Sequence, residues 1–156
     1  MIPVGTAPAV GEDRMSRDSN IKVAQAYFEA FNAHDFSKWN ELYADDFKGE
    51  APGAPPLDRD QSRMYSQGFS DAFPDGRFTI SHTVVEGDFV VTHWVASGTH
   101  TAPLRTFSGQ TIPATGKKAT VAGCTVTEVR NGKIARDWNF WDQVALLTQL
   151  GLMPPS

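Results

Sequence analysis

Asp137-Trp138-Asn139-Phe140-Trp141-Asp142 ends a stretch of alternating character and runs directly into Gln143-Val144-Ala145-Leu146-Leu147-Thr148-Gln149-Leu150-Gly151. The first stretch has a period of two and the second a helical period, so a strand passes into a short helix. Residues two apart on a strand share a face, which puts Asp137, Asn139 and Trp141 on one side. Asp142 immediately precedes the helix and reads as its N-cap, since a short side-chain oxygen can accept from the free N–H groups of the first turn. Indoles mixed with hydrogen-bonding groups can wall an apolar pocket and leave polar atoms facing into it.

Upstream the alternation continues. Asn131-Gly132 makes a hairpin turn between this strand, which begins at Lys133, and a long strand over Lys118–Val129. Two registers are open. A two-residue turn sets Asp137 and Asn139 beside Val126 and Cys124, whereas a three-residue turn with Gly132 left-handed sets them beside Thr127, Thr125 and Gly123. The second groups polar residues with polar ones and is the favoured arrangement. Before it lie a loop over Leu104–Gly116, a strand from Phe89 to about Thr101, a turn at Glu86-Gly87-Asp88, and a strand from Arg77 in which Phe78, Ile80, His82 and Val84 share one face.

The first half is helical. Ser19 or Asn20 can cap a helix carrying Ile21, Ala24, Tyr27, Phe28 and Phe31, and Asn32-Ala33-His34-Asp35 breaks it. Asp35 can cap a second, shorter helix with Phe36, Trp39, Leu42 and Tyr43 on its inner face. A brief strand over Phe47–Glu50 and a proline loop over Ala51–Pro56 follow. Asp58 with Gln61 forms a capping box for a third helix with Met64, Tyr65, Phe69, Ala72 and Phe73 on its apolar side. Helices segregated from a run of strands read as α+β: a curved antiparallel sheet with three N-terminal helices across its concave face and a short C-terminal helix. The chain divides into a flexible leader over residues 1–19 and one domain over 20–156, with Met15 as an alternative start.

At 156 residues and 40% hydrophobic content, one domain can bury a sizeable core. A net charge of −4 without a basic run argues against nucleic acid or an anionic membrane as partner. No stretch is long enough to span a bilayer and no signal-peptide pattern opens the chain, so the expected compartment is the cytoplasm. Cys124 is the only cysteine and reads as a small buried hydrophobe. No HxH or HExxH spacing suggests a metal, and no glycine-rich phosphate loop or GxSxG elbow is present.

Asp137 is the carboxylate of most interest. In an apolar cavity its pKa would rise through desolvation, as suits a general acid or base; the alternative is a surface aspartate paired with Arg136 or Arg130. Asn139 can hydrogen-bond a carbonyl or an enolate, or it is a satisfied strand amide. Among the histidines, His34 lies in an interhelical break, His82 alternates with core residues, and His93 and His100 occupy opposite faces of one strand. His100 follows Gly98, which lets another group approach closely, and is the histidine chosen for substrate binding. Tyr43 belongs to a set of aromatics that are core or line the pocket mouth. Gly49 and Gly53 read as turn glycines.

Gly98-Thr99-His100-Thr101, Ile112-Pro113-Ala114-Thr115-Gly116-Lys117 and the ending Asn131-Gly132-Lys133-Ile134, Trp138, Trp141-Asp142 and Leu146–Gly151 resemble the SnoaL-like polyketide and ester cyclases. The resemblance spans roughly Ile21–Leu152. It implies the cone-shaped α+β fold of the nuclear transport factor 2 superfamily, a homodimer, and a cofactor-free intramolecular aldol closure. In the characterised cyclases an aspartate of the last strand is the general acid/base. That position falls on Asn139 here, a histidine two residues earlier falls on Asp137, and another in the preceding strand falls on Thr125. Three readings follow: Asp137 has taken over as base while Asn139 polarises the substrate oxygen; the pocket only binds an apolar ligand; or it catalyses another proton shift of the ketosteroid-isomerase kind. The leading expectation is cofactor-independent chemistry on a small apolar carbonyl compound. Asp137 and Asn139 would be catalytic, and His100, Trp141, Thr125 and Tyr43 would bind substrate.

Overall fold

A computed structural model describes residues 10–153, with side-chain detail from residue 16. Helix α1 spans Val10–Ala33 and is followed by a single turn, α2 (Trp39–Leu42), then β1 (Tyr43–Glu50) and α3 (Arg59–Ala72). Strands β2 (Arg77–Glu86) and β3 (Phe89–Thr99), a small hairpin of β4 (Leu104–Arg105) and β5 (Thr111–Ile112), β6 (Lys118–Arg130), β7 (Lys133–Trp141) and helix α4 (Gln143–Gln149) complete the α+β order.

Four of the five main strands form the expected antiparallel run, but the sheet is mixed. Its order is β1-β7-β6-β3-β2, and β1 lies parallel to β7 at one edge. The brief strand expected over Phe47–Glu50 begins at Tyr43, which leaves α2 only one turn. Asp35 does not cap α2; its carboxylate accepts from the N–H and hydroxyl of Ser37, closing a local turn. The short hairpin β4–β5 interrupts the segment expected to be loop.

Helix α1 begins well before the expected cap at Ser19 or Asn20, because nothing after Pro8 bars the helical conformation until Pro52. Asn20 instead donates to the carbonyl of Gly87 in the β2–β3 turn. Residues 1–9 of the expected leader lie outside the described residues; from Val10 the leader is helical. No helix among the described residues is long and apolar enough to cross a membrane.

The capping box at Asp58 and Gln61 is formed, with Gln61 N donating to Asp58 at 2.8 Å and Asp58 N donating to Gln61 at 2.9 Å. Of the apolar stripe expected on α3, Phe69, Ala72 and Phe73 pack inward, and Met64 does not. Met64 is 63% exposed, and Ser62, Ser66 and Ser70, four residues apart, turn inward with Ala72. His82 is likewise displaced. The ladder slips between Ile80 and His82, so the period of two changes phase and His82 and the exposed Val84 leave the face of Phe78 and Ile80. His82 then meets His93 of β3, with Nδ1 atoms 3.4 Å apart.

The decisive local feature is the β6–β7 hairpin. Asn131 and Gly132 both have positive φ, 52° and 73°, and Arg130 pairs with Lys133, so the turn is the two-residue kind. Such a turn alone sets Asp137 opposite Val126. However, Val129 pairs with Ile134 and Glu128 with Arg136, leaving Ala135 as an extra residue. This β-bulge shifts the register by one, and Thr127 faces Asp137 while Thr125 faces Asn139. The polar grouping favoured from the sequence is reached, by a bulge rather than a longer turn. Ile134 and Ala135 are both buried, so the core holds the bulge in place.

Helix α1 packs on the inner face through Ala24 against Val90 and Val129, and through Phe28 and Phe31 against Phe78. A variant lacking Ala135 would keep Glu128 opposite Arg136, Thr127 opposite Asp137 and Thr125 opposite Asn139, with a regular ladder in place of the bulge. We expect Asp137 to stay on the buried face, and a lower urea midpoint that reports a loss of about 1 kcal/mol from the missing buried Ala135 and the lost bend of β7.

Candidate functional site

The helices and the inner sheet face enclose a cavity of about 110 Å³. Tyr27 and Phe31 enter it from α1, Ser62, Tyr65, Ser66 and Phe69 from α3, Phe78 and Trp94 from β2 and β3, Thr125 from β6, and Asp137, Asn139 and Trp141 from β7. Most of the wall is aromatic or aliphatic. Among the described residues, Asp137 is the one carboxylate in it and Arg77 the one cation.

Asp137 is only 9% exposed. Desolvation pushes its carboxyl from 3.8 up to about 7, while a hydrogen bond from Asn139 opposes the rise. It reaches this position because its neighbour on β1 is Gly49. A Cβ at Gly49 would lie 2.6 Å from Asp137 Oδ1 and 2.7 Å from Phe47 Cζ. Gly49 is therefore a strand glycine kept small by the carboxylate, not a turn glycine.

The Asn139 amide is fully engaged. Its Nδ2 donates to the carbonyl of Glu50 at 3.1 Å and to Asp137 Oδ1 at 3.2 Å, and its Oδ1 accepts from the Thr125 hydroxyl at 2.8 Å. An amide nitrogen has two hydrogens, so none is left to meet a substrate oxygen. The expected part of Asn139 in polarising substrate thus has no free donor behind it, and its visible work is to hold Asp137. Thr125 in turn accepts from Trp94 Nε1 at 2.9 Å.

Two residues expected to bind substrate sit outside the cavity wall. His100 follows the last residue of β3, where the alternation ends, and is fully buried behind Phe73, on which its ring stacks at 5.2 Å. Its Nδ1 accepts from the Thr115 amide at 3.3 Å, fastening the segment before β6. Tyr43 stacks on Trp39 at 4.2 Å and packs edge-on against Phe47, in a core cluster beneath the site. Trp141 does line the cavity and meets Phe69 edge-to-face at 5.8 Å. Asp142 caps α4, accepting from Ala145 N at 2.9 Å. Among the described residues, no three His, Cys, Asp or Glu side chains are grouped so as to hold a metal ion.

Tyr27, one of the aromatics expected in the core or at the pocket mouth but not among the chosen site residues, is a wall residue. Its phenol receives a long hydrogen bond from Ser66 at 3.4 Å, and burial, with a contribution from Asp137, pushes it up to about 12. It stays neutral and is a hydrogen-bond donor inside an apolar pocket. The spacing Ser62-Ser66-Ser70 was the available signal: serines four apart in a helix are hard to place on a solvent face that also contains the aromatics.

A carboxyl with a folded pKa above its unfolded one binds more protons in the folded chain. Its contribution to stability is fully present below 3.8 and is lost as pH rises through about 7. The stability of wild type relative to Asp137→Asn should therefore decline across that window, by roughly 4 kcal/mol at most, and level off above it. Urea titrations of both proteins at several pH values measure this. Gly49→Ala should cost about 1–3 kcal/mol and displace the Asp137 carboxyl, which its own pH-dependent stability would register.

The SnoaL-like polyketide cyclase family model matches residues 21–150. Among solved structures, the chain is 32% identical to IdmH of Streptomyces antibioticus, a candidate polyketide cyclase, with a TM-score of 0.71, covering 85% of this chain and 98% of that one. A candidate SnoaL-like polyketide cyclase from Jannaschia sp. CCS1 shares the fold at 19% identity, with a TM-score of 0.77, covering 97% and 100%. AclR of Streptomyces galilaeus, a candidate hydroxylase, shares it at 20% identity and a TM-score of 0.75, covering 90% and 89%. No protein of curated function matches.

Proposed function

Because the chain belongs to the SnoaL-like polyketide cyclase family, we propose that its cavity carries out cofactor-independent acid/base chemistry on a small, mostly apolar carbonyl compound, with Asp137 as the base. The family supports a cyclase-type function; the identity of the base and the substrate class are our reading. One observation carries it: among the described residues Asp137 is the sole carboxylate in the cavity wall, is buried, and is held by an amide with no other free donor.

Ionised Asp137 takes a proton from the carbon between two carbonyl groups, leaving an enolate. In a cyclase the enolate carbon bonds to a second carbonyl carbon of the same molecule, and the proton on Asp137 passes to the new alkoxide. In an isomerase the proton returns to a different carbon. Tyr27, kept neutral by burial, can donate to the enolate oxygen. Asn139 serves Asp137, and Trp141 with Phe69 gives the substrate a flat apolar wall. A cytoplasmic homodimer belongs to the same proposal; its support is the family likeness and the exposed Val84, Phe89 and Phe140 on the sheet. The rival reading is a binding protein without turnover, favoured by Asn139 standing where the resembling cyclases keep their acid.

Exchange of the acidic C–H of 1,3-dicarbonyl probes in D2O separates these readings. Wild type should exceed Asp137→Asn by about 10²-fold or more. Its rate should climb with pH and level off above about 7, as the carboxylate form fills. Equal rates in the two proteins would overturn the role of Asp137, and binding of the probe without exchange would favour the rival.

A further inference from the structure

The hydrogen bonds behind Asp137 run in one direction through three strands. Trp94 Nε1 of β3 can only donate, and it donates to Thr125 Oγ1 of β6 at 2.9 Å. With a lone pair occupied, the Thr125 hydroxyl donates its single hydrogen to Asn139 Oδ1 of β7 at 2.8 Å. On the far side of that amide, the Glu50 carbonyl of β1 can only accept, and it takes one Nδ2 hydrogen at 3.1 Å. The other Nδ2 hydrogen is thereby aimed at Asp137 Oδ1, 3.2 Å away. A flipped amide would set its oxygen against the Glu50 carbonyl and the Asp137 carboxylate, three acceptors together.

The backbone is shaped for this relay. Gly123 stands opposite Trp94 on β6, and a Cβ there would come within 2.6 Å of Trp94 Cη2 and 2.7 Å of the Phe140 carbonyl. Only a glycine lets the indole lie across β6 so that its N–H reaches Thr125, two residues along. The Ala135 bulge supplies the other condition, since it sets Thr125 opposite Asn139.

Resting on Asp137 as the base, we propose that Thr125, held by Trp94, is a positioning residue that fixes the Asn139 amide with its N–H toward Asp137 and so sets the pH range in which Asp137 is ionised. This part is distinct from binding substrate, for which Thr125 has no free hydrogen. The other groups facing Asp137 do not substitute for the amide. Tyr27 of α1 and Tyr43 of β1 are both neutral and kept so by burial. Helix α3 brings the hydroxyls of Ser62 and Ser66 and the phenol of Tyr65, β6 brings that of Thr127, and the cation Arg77 lies on β2. Among the described residues, Asn139 is the one side chain that hydrogen-bonds the Asp137 carboxyl.

The test follows the Asp137 carboxyl directly by 13C NMR titration, in wild type, Thr125→Val, Thr125→Ser and Trp94→Phe. Thr125→Val keeps the shape and strips the hydroxyl. Its Asp137 midpoint should move up by about one pH unit, the worth of one hydrogen bond to a charged group. Thr125→Ser should restore the wild-type midpoint, and Trp94→Phe should shift it in the same direction as Thr125→Val by a smaller amount. If exchange of the dicarbonyl probe is present, its pH profile should move with the carboxyl. An unchanged midpoint in Thr125→Val, with native near-ultraviolet circular dichroism, overturns the proposal; so does a shift that Thr125→Ser fails to reverse. The titration reads positioning whether or not the protein turns the probe over. A shifted midpoint without any exchange would therefore count against Asp137 as a catalyst while leaving the relay intact.

Discussion

One extra residue in β7 governs the arrangement of this protein. The Asn131-Gly132 turn is of the tightest kind, and by itself it would direct Asp137 and Asn139 to the outer side of the sheet. Ala135 shifts the pairing by one, and every side chain from Asp137 to Trp141 changes face as a result. The bulge is stable because both of its residues are apolar and buried, whereas a bulge-free register would set Ala135 opposite Glu128 and turn Arg136 inward opposite Thr127. A carboxylate and an amide come to stand inside an apolar cavity because two neighbouring hydrophobic side chains have no better place.

Burying that carboxylate opposes folding at neutral pH. The protein limits the cost with a single amide donor, and the restraint has a chemical consequence. A carboxylate wrapped in several N–H groups would be a weak base with a depressed pKa, whereas one donor and a dry wall leave Asp137 poised near neutrality. Gly49 on one side and Asn139 on the other define where its oxygens lie. Around this centre the aromatic side chains of α1, α3 and the sheet form an apolar wall, and the neutral phenol of Tyr27 adds a donor without adding charge.

Substitutions relative to the resembling cyclases are coherent when taken together. The resemblance implies that Asn139, Asp137 and Thr125 fall where those enzymes carry an aspartate and two histidines. In this chain the same three positions form an uncharged relay ending on one carboxylate. Asp137 and Asn139 are two residues apart on one strand face, so both reach the same cavity.

Much of this was legible in the sequence. The change from helical period to period two placed the elements, the capping box at Asp58 and Gln61 fixed the start of α3, and Asp142 declared itself as a cap by standing directly before Gln143. Alternation alone put Asp137, Asn139 and Trp141 on one face. Local chemistry carries those features, because caps and periodicity depend on neighbours a few residues away. The parallel edge strand, the bulge at Ala135, the phase change before His82 and the retreat of His100 and Tyr43 from the cavity were not legible. Each is decided by a partner remote in sequence: β7 for β1, the buried core for Ile134 and Ala135, Phe73 for His100. The same holds for the Asn139 amide. Its sequence position left open a free or a satisfied amide, and only the meeting of Glu50 and Asp137 in space showed that both hydrogens are taken.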